Sequence, residues 1–255
     1  GEPEFLGWAH AAPCHGTRVL DLATMEHTAV VLVAHGTRDV RGAETVRRLA
    51  RRVDEALPTQ EVALAYVDVQ EPLVGAVLDD VMTRHASVVV VPLLLSRGFH
   101  VDVDIANAVA AHPGSRAVAP LGPDPLLAQL LVDRLVAAGV ERSADVVLAA
   151  AGSSRPVAAD DVEFAALQLG QLWDGPVTVA YAAGTEPSVA SAVVAARDSG
   201  ADRVAVASYL LAEGFFHDRL GDAGADVVTP ALAAGGDSDS SGLDALLAVV
   251  LSRLV

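Results

Sequence analysis

Lysine is missing from this chain altogether, so all 17 of its positive charges are arginine, set against 33 acids, and the formal net charge is −16. A surface this acidic works against non-specific nucleic-acid binding, which draws its affinity from cations that neutralise phosphates, so nucleic acid is not an expected partner. The one cysteine, Cys14, excludes an intramolecular disulfide and suits a reducing, cytoplasmic compartment. Aromatic residues make up only 4% of the chain, so its core has to be aliphatic. No apolar run approaches the roughly 20 residues that a membrane-spanning helix needs, and no membrane association is expected. Residues 1–24 lack the basic stretch and apolar segment of a secretory signal. Met25 reads as a natural start, and residues 1–24 as a tag remnant or extended frame without structure of its own. Neither a glycine-rich phosphate loop nor a Gly-x-Ser-x-Gly elbow occurs.

What is present is apolar and repetitive. With 52% hydrophobic residues over 255 positions, dominated by Ala, Val and Leu, the chain has material for a large core of helices packed on parallel strands. Val30-Val31-Leu32-Val33 reads as a strand buried on both faces, and it ends abruptly in His35-Gly36-Thr37-Arg38-Asp39. In open α/β sheets ligands bind beyond the carboxyl ends of the strands, so His35 is the first candidate for chemistry. Ala43 to Leu57 follows with a helical period and Arg47, Arg48, Arg51 and Arg52 on its outer face, read as solvated. Glu61 to Val69 alternates as a strand, and Gln70-Glu71-Pro72 is expected to open a helix that runs to about His85. Ser87 to Leu95 is the strongest strand signal and delivers Ser96-Arg97-Gly98-Phe99-His100 to a second loop. Val118 marks a short strand, and Pro123-Asp124-Pro125 opens a helix over Leu126 to Ala138.

The pattern then starts again. Val147 to Ser154 matches Val31 to Arg38 at an offset of 116, Ala180-Tyr181 through Glu186-Pro187 matches Ala65-Tyr66 through Glu71-Pro72 at 115, and Leu210 to Phe215 matches Leu94 to Phe99 at 116. Three landmarks at nearly constant offset establish a duplication, with halves at residues 25–139 and 144–255. The expected fold is therefore α/β, two tandem doubly wound parallel-sheet domains facing one another across a cleft, and a monomer suffices to build that cleft. The copies differ where it matters. Ala151 stands where the first has His35, Phe216 where it has His100 with His217 displaced by one place, and Glu213 where it has Arg97. Residues 25–140 also carry a net charge of −4, against −10 for residues 141–255, so an anionic ligand is better handled by the first half. Two histidines at the ends of two buried strands, both absent from the duplicate, point to a joint role. Neutral imidazoles ligate divalent iron, cobalt or nickel and accept protons near neutral pH. His85, His112 and His27 have ordinary placements near helix ends and ahead of the first strand, and His217 is ambiguous. Glu71 recurs as Glu186, which favours a structural role for an acid at a helix start.

Val-Ala-His35-Gly-Thr-Arg-Asp, the Glu71-Pro72 start, Val-Val-Pro-Leu-Leu-Leu-Ser-Arg-Gly-Phe-His100 followed by Asp102, and Pro120-Leu121-Gly122-Pro123-Asp124-Pro125-Leu126-Leu127 together resemble the class II tetrapyrrole chelatases of the sirohydrochlorin cobaltochelatase and ferrochelatase group. The resemblance covers nearly all of residues 28–255, specifically in the first half and loosely in the second. It implies ATP-independent insertion of Fe2+ or Co2+ into sirohydrochlorin, a ring with eight carboxylates, for siroheme or cobalamin biosynthesis. It also implies that His35 and His100 handle the metal, which is a substrate and not a permanently bound cofactor. Two imidazoles above a ring face can hold the ion and serve deprotonation, and changing His217 should matter much less than changing either of them. Arg38, Arg41 and Arg97, with Glu71 as a lesser candidate, are the groups expected at the substrate rim. A metal or tetrapyrrole carrier without turnover is the alternative, and a degenerate regulatory paralogue is discouraged by the intact His35 and His100.

Overall fold

The structure, a computed structural model, describes residues 28–98, 100–235 and 240–255, without the side chains of residues 100–102; the N-terminal stretch 1–24 lies outside the described residues. The first half runs β1 (Thr28–Ala34), α1 (Val40–Ala56), β2 (Val62–Tyr66), α2 (Val74–Val81), β3 (Ser87–Pro92), a π-helical turn (His100–Ile105), α3 (Ala106–Ala111), β4 (Ser115–Ala117) and α4 (Pro125–Ala137). The second runs β5 (Asp145–Ala150), α5 (Pro156–Leu172), β6 (Val177–Tyr181), α6 (Val189–Asp198), β7 (Val204–Tyr209), α7 (Phe215–Leu220), β8 (Val227–Val228) and α8 (Ser241–Leu254). Each half forms a four-stranded, all-parallel sheet, ordered β2-β1-β3-β4 and β6-β5-β7-β8. The two-domain parallel α/β architecture expected from the duplication is therefore present, with the same strand order in both copies. Among the described residues no helix is long and apolar enough to cross a membrane.

Alternation along the central strands explains how the layers stack. Val30, Leu32 and Ala34 of β1 and Val146, Leu148 and Ala150 of β5 share one core that lies between the two sheets. Val31 and Val33 turn to an outer core under α2, while Val147 and Ala149 turn to a separate outer core under α6. Side chains of a strand alternate between its faces, so a continuous run of small and β-branched residues is what a doubly covered strand requires.

The shared core is filled by helices that trade places. α4, at the end of the first half, packs on α5 and β7 of the second, and α8 packs on α1 and β3 of the first. The cut expected near residues 139–144 divides the sequence repeat, whereas each sheet takes its last covering helix from the opposite copy. Periodicity shows that α4 and α8 have apolar faces but not which sheet they cover. Buried Arg134 on α4 donates through Nη2 to the carbonyls of Leu232 and Ala234, at 2.9 and 2.7 Å. Its counterpart on α8, Arg253, donates to Pro120 O and Leu121 O and to Asp124 Oδ2, each within 3.0 Å. Leu121 and Leu232 occupy matching places, since their N–H groups donate to Leu94 O and Leu210 O. The arginine face of α1 is likewise not wholly solvated: Arg48 donates to Gly235 O at 2.5 Å, and Arg52 pairs with Asp244.

Local boundaries differ where hydrogen bonds override the pattern. α1 starts at Val40 because Asp39 caps it, accepting from Arg41 N at 2.9 Å. α2 begins at Val74, later than Pro72 suggests. Tyr66 N donates to Pro72 O at 3.0 Å and Leu73 N to Glu71 Oε2 at 3.0 Å, which holds the segment against the end of β2 as a loop. Tyr181 with Pro187 and Ser188 with Glu186 repeat both bonds.

Leu243, Leu246, Val249, Val250 and Leu254 of α8 are all buried, and at ~1.5–3 kcal/mol per buried aliphatic side chain they contribute roughly 10 kcal/mol gross. That is comparable to the whole net stability of an ordinary domain. Residues 28–139 expressed alone should therefore show no cooperative urea transition by circular dichroism, while the full chain unfolds in one step; a sigmoidal transition from the isolated half would contradict the exchange. Arg134→Leu should lower the stability of the full chain by about 2–4 kcal/mol, because two buried carbonyls lose their donor.

Candidate active site

Both sheets aim the carboxyl ends of their strands at one cleft of about 950 Å³. Ala34 to Arg38, Gln70 and Leu93 to Ser96 border it from the first half, and Ala150 to Ser154 and Tyr209 to His217 from the second. Its volume is at the upper end of the ~300–1,000 Å³ usual for ligand sites.

His35 stands where β1 breaks off. Asp68 N donates to His35 O at 3.1 Å, and Gly36 turns with φ 95°; a Cβ there would lie 2.0 Å from Asp68 O, so only glycine lets the loop close against β2. Gly152 repeats this turn, with φ 100°. The imidazole is exposed, and its Nδ1 lies 3.1 Å from Gly36 O. A carbonyl only accepts, so Nδ1 carries the proton and the lone pair of the neutral ring is on Nε2. Gln70, which carries no sequence signal, accepts from Thr37 N at 2.9 Å and fixes the next part of the loop.

His100 opens the π-helical turn, two residues after the cleft-lining Gly98. The side chains of His100 and Asp102 lie outside the described residues. On the facing wall, Phe215 and Phe216 are 65% and 40% exposed and meet edge to face at 5.5 Å, with the Arg219 guanidinium 5.4 Å above the Phe215 ring. His217 borders the same cleft, half-buried, with Nε2 3.1 Å from Thr229 O.

The arginines separate sharply. Arg38 lines the cleft, exposed, with no partner among the described residues. Arg41 is engaged by Asp39 and, across the halves, by Asp218, at 2.7 and 2.6 Å. Its guanidinium in turn holds the Asp39 carboxyl down at about 2. Arg97, expected at the rim, instead donates from N, Nε and Nη2 to buried Asp161 on α5, at 2.6 to 3.1 Å, and is not among the residues that border the cleft. Glu71 is not among them either; it caps its own turn, as Glu186 does. His85 and His112 have the ordinary placements expected: His85 meets Glu61, and the Ala108 carbonyl and the Asp79 carboxylate raise the pKa of His112.

Asp161 carries no signal of its own in the sequence, but the repeat offset reaches it. Arg97 corresponds to Glu213 and Thr45 to Asp161, both at 116, and Glu213 Oε2 accepts from Thr45 Oγ1 at 3.0 Å. The loop after each third strand thus contacts the first helix of the other copy, once as an ion pair and once as a neutral donor on a carboxylate. Tyr209 Oη adds a third link, donating to Leu95 O at 3.0 Å, and burial pushes this phenol well above the ordinary tyrosine range, so it remains a donor.

A family model, CbiX, matches residues 29–138 and 145–227. The chain belongs to the CbiX family. A sirohydrochlorin cobaltochelatase of Methanopyrus kandleri is 28% identical, covering 42% of this chain and 94% of that protein. SirB from Bacillus subtilis with Fe3+ superposes with a TM-score of 0.72 at 20% identity, over 89% of this chain and 95% of that one. The structure of CbiX described as the terminal enzyme of siroheme biosynthesis in denitrifying bacteria gives 0.64 at 20%, over 89% and 100%. The CbiX fold thus accounts for both sheets.

If Arg97 joins the halves, Arg97→Ala should destabilise the protein by about 1–2 kcal/mol, because it strips the side-chain donors from a buried carboxylate. The double variant Arg97→Ala/Asp161→Asn should recover part of that loss. Equal, additive losses in urea titrations would show that the pair is not coupled.

Proposed function

We propose that this chain is a sirohydrochlorin chelatase, inserting a divalent metal ion into sirohydrochlorin without ATP. The observation that carries the reading is His35, held at the end of the central strand on a cleft built by both halves of a CbiX-family chain. One relative named above is a cobaltochelatase by name and another is solved with Fe3+, and cobalt and iron ions both accept imidazole nitrogen, so Co2+ and Fe2+ are the proposed metals. The ion is a substrate, as is the ring.

Chelation requires that the ion shed water, that two pyrrole N–H protons leave, and that the ring bend so its nitrogens face the ion. His35 is assigned to ligate the entering ion through Nε2, because Nδ1–H is held by Gly36 O. His100, whose backbone leaves the end of the neighbouring strand β3, is the second proposed ligand. The exposed rings of Phe215 and Phe216 give the opposite wall an apolar surface suited to a flat macrocycle. Arg38 is assigned to the carboxylates of the ring, since Arg41 and Arg97 are engaged by Asp39, Asp218 and Asp161. The N-terminus of α1 offers little to an anion, because Asp39 already caps it. Both walls come from one chain, which supports action as a monomer, the acidic surface works against nucleic-acid binding, and the lone Cys14 suits a reducing, cytoplasmic compartment.

His35→Ala should reduce metallation on the order of 1,000-fold, within the span expected for removing a positioned ligand or proton acceptor. Ala151 fills the matching place in the second copy, so the variant should keep the parental circular dichroism; a folded variant at the parental rate would remove His35 from the site. Arg38→Ala should raise KM for sirohydrochlorin several-fold and leave kcat nearly unchanged, as expected for a contact present in ground and transition states alike. A parental KM would take Arg38 off the rim. Spectra of the metallated ring formed in excess over protein separate turnover from a carrier, which stops at one equivalent.

A further inference from the structure

His217 is the imidazole of the cleft to which the steps above give no task. A nitrogen that ligates an ion through its lone pair cannot use that pair to take a proton at the same time. If Nε2 of His35 receives the metal, a different group has to accept the pyrrole protons. The second half supplies one candidate on the wall facing His35. Nε2 of His217 lies 3.1 Å from Thr229 O, and since a carbonyl only accepts, Nε2 carries the proton and Nδ1 the lone pair. No described residue bonds Nδ1. The anchor is rigid: Thr229 is fully buried, its carbonyl also accepts from Ser208 Oγ at 2.6 Å, and its Oγ1 accepts from Ser208 N at 3.0 Å. Glu213 borders the same wall, but its carboxylate is drawn to Thr45 Oγ1, and Asp218 is bound by Arg41.

Resting on the chelatase reading, we infer that His217 is a second catalytic side chain, the proton acceptor for a pyrrole N–H on the ring face turned away from His35. The N–H bond breaks, an Nδ1–H bond forms, and the electron pair stays on the ring nitrogen to bind the ion from the other face. The imidazolium then returns its proton to water in the open cleft, and the second pyrrole proton leaves to that water directly. His35 and His217 thereby divide the two jobs that a pair of histidines on one wall would have to share.

The test is His217→Gln in the full chain. Glutamine keeps an N–H donor for Thr229 O but has no basic nitrogen. With sirohydrochlorin and Co2+, kcat should fall on the order of 100-fold, the lower end for a positioned proton acceptor, with KM unchanged. Co2+ titrated alone should bind the variant as it binds the parent, and His35→Ala should lose that binding. In parallel, His217→Ala should regain part of its kcat when free imidazole is added; a folded His217→Ala protein that regains none overturns the assignment. Parental kcat in His217→Gln overturns it too, as does Co2+ binding that falls together with kcat, which would make His217 a ligand. An active parent with an equally active variant sinks this inference alone, whereas a parent that metallates nothing sinks the chelatase reading with it.

Discussion

Everything about this cleft depends on the core that lies between the two sheets. Two open parallel sheets built from tandem copies could sit side by side with independent cores, and the angle between their strand ends would then be set by weak polar contacts. Here the inner faces of β1 and β5 drain into one continuous apolar layer, closed by helices that each copy lends to the other. Interiors pack at crystal-like density and resist continuous deformation, so such a layer fixes the two loop clusters relative to one another. The arginines that hold the exchange, Arg134 and Arg253, satisfy backbone carbonyls of the opposite half. Their value is the avoided cost of orphaned acceptors more than the strength of the bonds themselves.

That solution uses up positive charge. With 17 arginines and no lysine, the chain commits Arg41, Arg52, Arg97, Arg134 and Arg253 to contacts that cross between the halves. Geometry suits the choice, since a planar guanidinium presents its five N–H donors in a rigid fork that matches paired oxygen acceptors, whereas an ammonium is a compact point charge on a flexible stem. The consequence for function is that Arg38 is left as the cleft-lining arginine with no described partner. On the proposed function an anionic ring meets a chain of net charge −16, but exposed charges further away than about 8 Å are screened at physiological salt, so local placement outweighs the total.

The sheets, the duplication and the place of His35 at a strand end were legible because each rests on a local pattern: β-branched runs with abrupt ends, a constant offset, a histidine that follows a strand. The family resemblance is legible for the same reason, and the CbiX match covers both copies. What the pattern could not carry is partnership across the halves. The exposed-looking Arg97 is consumed by Asp161, which lies 64 positions away and differs in no visible respect from other helix acids. The loop at Glu71-Pro72 looks like a helix start because an acid ahead of a proline usually is one, but a backbone bond from Tyr66 wins. The exchange of α4 and α8 is invisible to hydrophobic periodicity, which reports that a face is buried and not what buries it.

The difference between the copies follows from placing both on one cleft. On the proposed function, a second copy that had kept histidines at residues 151 and 216 would set two ion-binding walls across one cleft, and an ion could enter from either side. One face would then compete with the other, and no surface would remain to hold the macrocycle. Ala151 and Phe216 at the matching positions leave that wall without either imidazole and with an exposed aromatic ring on the cleft. The interface contacts are unlike too: Arg97 with Asp161 is a charged pair, whereas its counterpart, Glu213 with Thr45, sets a neutral hydroxyl donor on a carboxylate. Duplication supplied the shape of the cleft, and divergence of a few strand-end residues made its two walls unlike.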